Sequence, residues 1–134
     1  MAAITFGTGV IPGANAKLSP EVAGETPMAA GQSVFRDTDG RVKLAQASNA
    51  AKKDALGVLS SAVTAIGQPV MVQTDGEMTG ASGLTKGEVY VLSATAGSVC
   101  PVGDLVSTNH VVFMAVALST TSFFLRPVIS GAVK

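Results

Sequence analysis

From Gly31 onward the apolar residues of this chain alternate with polar ones or run in short blocks, and each block stops at a glycine turn. Arg41-Val42-Lys43-Leu44 alternates as a half-buried strand does, and Val70 and Val72 share one face with Met71 and Gln73 on the other. Asp39-Gly40, Asp75-Gly76, Ala96-Gly97 and Val102-Gly103 can each supply a positive φ. A 3.6-residue period is nowhere sustained, and at most one or two helical turns fit at Ser48–Lys53. The expected fold is all-β, a small barrel or β-sandwich of short antiparallel strands. Both architectures use the same alternation and turns.

Residues 1–30 read differently. Gly7, Gly9, Pro12, Gly13, Pro20, Gly24 and Pro27 interrupt every period. This segment is expected to be an extended N-terminal arm outside a single β domain at 31–134, one that orders on docking.

Within that domain an internal duplication relates residues 31–76 to 87–134. Gly31-Gln32-Ser33-Val34-Phe35 matches Gly87-Glu88-Val89-Tyr90-Val91, and Gly40-Arg41-Val42 matches Gly97-Ser98-Val99. Leu56-Gly57-Val58 then matches Met114-Ala115-Val116, and Gln68-Pro69-Val70 matches Arg126-Pro127-Val128. Each repeat should be a hairpin, a connection and two further strands.

The two halves are dressed unequally. Eight of the eighteen charges lie between Arg36 and Asp54, but only Asp104 lies between Val89 and Leu125. Charged residues make up 13% of the chain, against roughly 25% in typical soluble domains. Val89-Tyr90-Val91-Leu92, Phe113-Met114-Ala115-Val116 and Phe123-Phe124-Leu125 are apolar on both faces. Since antiparallel sheets commonly turn one face to water, these strands need a second cover. A neighbouring subunit is the expected cover, with Val89, Val91, Phe113, Phe123, Phe124 and Leu125 as the contact; a second layer of the same chain is the alternative.

Candidate chemistry is sparse. His110 is the sole histidine and Cys100 the sole cysteine, which leaves no His cluster, zinc knuckle or intrachain disulfide. Asp37-Thr38-Asp39-Gly40 resembles the start of a calcium loop, but Ser48 stands where the twelfth-position Glu belongs, and a β-turn accounts for it. Gly7-Thr8-Gly9-Val10-Ile11-Pro12 has Pro12 in place of the last glycine of a dinucleotide fingerprint. Zero net charge offers no footprint for nucleic acid. No apolar run is long enough for a membrane helix and no secretory signal is legible, so synthesis and retention in a cytoplasm are expected. No catalytic, cofactor-binding or metal-binding residues are assigned, and the chain is expected not to be an enzyme. The competing reading is a ligand-binding or enzymatic barrel using His110, Cys100 or the Asp37/Asp39 pair.

The body, roughly residues 29–131, resembles the capsid decoration or cement proteins of phages. The likeness is carried by Ala29-Ala30-Gly31-Gln32-Ser33-Val34-Phe35 with Asp39-Gly40-Arg41-Val42-Lys43-Leu44-Ala45, by Leu56-Gly57-Val58 with Ala65-Ile66-Gly67-Gln68-Pro69-Val70-Met71-Val72, and by Lys86–Gly97. The resemblance implies an all-β homo-oligomer, a trimer in preference to a dimer, that binds the major capsid protein on the outside of a phage head. Localisation would be the virion surface, after assembly in the host cytoplasm. Ile4, Phe6, Val10, Ile11 and Leu18 of the arm would meet the capsid. Removing residues 2–28 would then spare folding and weaken shell binding. Tail, baseplate and fibre proteins share similar segments and give the nearest alternative.

Overall fold

The computed structural model describes residues 3–105 and 107–134. Ten strands form it: β1 (Ile11–Pro12), β2 (Lys17–Val22), β3 (Ser33–Arg36), β4 (Val42–Leu44), β5 (Ala55–Leu59), β6 (Pro69–Thr79), β7 (Val89–Leu92), β8 (Val99–Pro101), β9 (His110–Ala117) and β10 (Phe123–Val133). The one helical element among the described residues is a single 3-10 turn at Val102–Asp104. The all-β expectation holds. Around Ser48–Lys53 the chain makes a turn in which Asn49 Oδ1 accepts from Ala51 N–H. No helix among the described residues is long and apolar enough to cross a membrane.

All strand pairs are antiparallel, and the sheet follows the path β4-β3-β5-β6-β10-β9-β7-β8, curled into a half-barrel. One pairing scheme occurs twice along this path. β3 pairs with β4 and β5, and β5 pairs with β6; β7 pairs with β8 and β9, and β9 pairs with β10. The registers match as well. Ser33 faces Val58, Val34 faces Gly57 and, after a bulge, Phe35 faces Ala55. In the second half Val89 faces Val116, Tyr90 faces Ala115 and, after a bulge at the same place, Val91 faces Phe113.

The fourth sequence match follows a different register. Leu59 faces Val72 and Ala117 faces Phe123, so Val72 and Phe123 are the equivalent residues, not Pro69 and Pro127. The connection from β9 to β10 is shorter than that from β5 to β6, which moves the two prolines out of correspondence.

β6 belongs to both halves. Its first part pairs with β5 and β2, and its last residues pair with β10 and β1. The change of partner falls at Gly76, where φ is +98° and a Cβ would overlap the Asn15 carbonyl. The fully buried Gln73 secures the bend, since its Nε2 donates to the carbonyls of Asp75 at 3.1 Å and Glu77 at 2.9 Å. A strand that bends to serve two sheets is a recognised way of turning a corner.

The first thirty residues are not a separate arm. Phe6 is fully buried, stacked on Phe123 with ring centroids 4.0 Å apart and edge-on to Tyr90 at 6.3 Å. Val10 is buried in the same cluster, and Ile4 is bridged to Val99 and packs against it. β1 and β2 line β6, while Ala23 and Met28 close a second core over Val34, Val42, Leu59 and Val72. The irregular rhythm that hid this segment is the rhythm of a strap that crosses the body. Gly7 and Gly9 pass so close to Gly31 and Gly80 that a Cβ on either of the latter would strike their carbonyls.

Candidate interaction face

The main core lies between the halves. Val58 and Phe35 from the first half meet Tyr90, Val112, Met114, Ala117, Phe123 and Leu125 from the second, with β5 set against β9 and β10. Three of the six residues expected at a subunit contact therefore face inward: Val91, Phe123 and Leu125 are fully buried in their own chain. Consecutive strand residues point to opposite faces, so a run such as Phe123-Phe124-Leu125 could not send all three outward.

The other three, Val89, Phe113 and Phe124, do reach the surface, and Val116 joins them there. Val89, Val116 and Phe124 sit side by side across β7, β9 and β10, with Glu77 of β6 next in line. With Phe113, Ala115 and Arg126 they line an open depression of about 430 Å³. Phe113 is 36% exposed and Val116 41%. Leu118 and Val128 extend the apolar surface at its margins, both well exposed. Arg126 lies over the Phe124 ring with its guanidinium carbon 5.2 Å from the centroid, and it pairs with Asp75 at 3.4 Å. The face is thus a greasy centre with one cation and two carboxylates, Asp75 and Glu77, along the β6 side. Water has no favourable contact to offer such a centre, and each square ångström left open forgoes about 25 cal/mol.

Of the residues expected to meet a capsid, Ile4, Phe6 and Val10 are committed to the fold, as described above. Ile11 and Leu18 remain available, at 60% and 43% exposure. A second, smaller depression, beside β2, is formed by Pro20, Glu21, Ser61, Pro69, Val70 and Met71. No periodicity in the first thirty residues distinguished the buried apolar side chains from the exposed ones; the pairing with β6 does.

The groups considered for catalysis are placed apart in function. Cys100, on β8, is buried, and loss of solvent pushes its thiol pKa up, with Asp104 adding to the effect; an elevated pKa disfavours the nucleophilic thiolate. It shares a cavity of about 180 Å³ with Ser93, Asp104 and Asn109, and His110 does not line that cavity. His110 opens β9 and uses its backbone N–H to bond Ala47. Asp37 and Asp39 organise their own turn. Asp37 Oδ1 accepts from Thr38 N–H at 2.7 Å, Asp39 Oδ1 accepts from Arg41 N–H at 3.0 Å, and Gly40 N–H closes the turn onto the Asp37 carbonyl. Lys43 Nζ pairs with Asp37 at 2.7 Å and lies 3.6 Å from Asp39. The Asp-Gly sequence is thus a lysine-bound β-turn.

One ion pair ties the strap to the first half. Arg36 on β3 makes a two-pronged contact to Glu21 on β2, with Nε to Oε1 at 3.0 Å and NH2 to Oε2. The hydrogen bond from Arg36 holds the Glu21 carboxyl below its ordinary pKa, against the opposing effect of burial. A depressed carboxylate adds stability above its unfolded pKa, and that stability is lost as pH falls through the folded one. Unfolding midpoints measured across the acid range should therefore fall once pH drops below the ordinary glutamate value. In Arg36→Met that acid-side drop should be shallower; an unchanged profile would show the pair contributes nothing.

Comparison with protein-family models, curated proteins and solved structures finds no match to this chain.

Proposed function

We propose that this protein is a structural component of a phage particle, a decoration or cement subunit that binds the outside of the head and bridges neighbouring capsomers. The observation that carries the reading is the division of the surface. Charge is gathered on the Arg36–Asp54 side, while the β7-β9-β10 face presents Val89, Phe113, Val116 and Phe124 to the outside. A body built this way offers apolar and polar surfaces for joining rather than a cleft around reactive groups. The resemblance of residues 29–131 to decoration proteins supports the same role, and many weak attachments on a shell act together through avidity. Ile11 and Leu18, with the depression beside β2, are the proposed contact with the major capsid protein.

The test is cosedimentation of the purified chain with heads and, separately, with tails of the phage that encodes it. Saturable binding to heads, with increased resistance of the heads to heat or chelator, is expected. Binding to tails alone would replace this reading with a tail or baseplate role. Leu18→Lys should weaken head binding about tenfold or more through loss of an apolar contact.

A further inference from the structure

The matched registers allow each surface of one half to be compared with its counterpart in the other. In the first half the row Ser33–Val58–Gln73 is fully buried, because the second half packs onto it. Its counterpart in the second half is the row Val89–Val116–Phe124, and this row is open. The residue types are inverted relative to exposure. The covered row carries Ser and Gln, and two of its buried oxygens, Ser33 Oγ and Gln73 Oε1, lack partners. The open row is Val, Val and Phe.

We infer that the Val89–Val116–Phe124 face is covered by a second copy of this chain. The first half shows that a sheet of this register is stable with a protein layer on that face. The opposite face of the first half is closed by Ala23, Met28 and Val63, so it cannot continue the internal stacking into a neighbour. The open face must then meet another such face or a different surface of the neighbouring copy. Charge suits a like partner. Arg126 and the carboxylates Asp75 and Glu77 share the rim, so the face carries both signs and two copies need not repel. The size fits as well. Phe113, Val116, Leu118 and Val128 are each 36–48% exposed and surround the partly exposed Phe124, an apolar centre of the kind that a polar rim completes in an interface of about 800 Å² per partner.

The test is mass in solution, which does not depend on any phage shell. Light scattering or sedimentation of the whole chain at about 100 µM should give an integer multiple, above one, of 13.4 kDa. Val116→Lys, which puts an ammonium group at the middle of the face, should weaken self-association about a hundredfold while leaving the far-UV spectrum unchanged. Ile66→Lys, more exposed still at 59% in the connection between β5 and β6, should leave the mass unaltered. A monomeric parent chain would overturn the inference. So would a Val116→Lys variant that keeps its oligomer, or an Ile66→Lys variant that alone loses it. Failure to bind heads with the oligomer intact would count against the proposed function and not against this contact.

Discussion

A chain lacking residues 2–28 will not fold. The deletion removes Phe6 and Val10 from the main core, Ala23 and Met28 from the second, and both strands that cover the outer edge of β6. Truncating one buried phenylalanine to alanine typically costs about 3–5 kcal/mol. Whole domains of this size are stable by only about 5–15 kcal/mol. Phe6→Ala alone should therefore lower the unfolding free energy by about 3–5 kcal/mol, because its ring is sandwiched between Phe123 and Tyr90 with no room for solvent to replace it. Denaturant titration of Phe6→Ala, and far-UV circular dichroism of the truncated chain, measure both effects. A truncated chain with a cooperative transition and a native-like β spectrum would contradict the placement of the strap. That outcome would restore the free arm expected from the segment's broken periodicity.

Gly31→Ala should be nearly as damaging, for a different reason. Gly31 sits at φ +88°, and its α-carbon faces the Gly7 backbone so closely that an added methyl would lie 2.9 Å from the Gly7 nitrogen and still closer to its oxygen. Both neighbours are main chain, and the crossing is fixed by hydrogen bonds from Gly31 N–H to Leu59 and from Phe6 N–H to Gly31. Nothing flexible can give way. The expected loss is about 3 kcal/mol or more, combining left-handed backbone strain with the displaced strap. Gly40→Ala provides the comparison. Gly40 has φ +79° but open space around it, so it should lose only the backbone share, about 1–2 kcal/mol. If the two variants melt together, the close crossing adds nothing.

Much of the sheet was legible in the residues. The hairpins β3-β4 and β7-β8 follow from alternation and from glycine turns, and matching glycines revealed that one pairing scheme is used twice. The strap was not legible, because Phe6 is buried by Phe123 and Tyr90 from the far end of the chain, and such a contact leaves no local period. Pro69 and Pro127 misled for a related reason: identical neighbours in sequence do not fix a register when the preceding loops differ in length. The open apolar face was half legible. Apolar composition singled out the strands that carry it, but only the pleat separates Phe124, which reaches the surface, from Phe123 and Leu125, which face in. Nor could composition tell that Val91 is covered by its own chain while Val116 is not.

Because β6 threads both halves, neither repeat owns a complete set of strands. Heat, denaturant or mechanical load cannot detach one repeat and leave the other standing, since the strand at the division would have to break its ladders on both sides at once. Pulled from its two ends, the body would act as one rigid link that gives way in a single event.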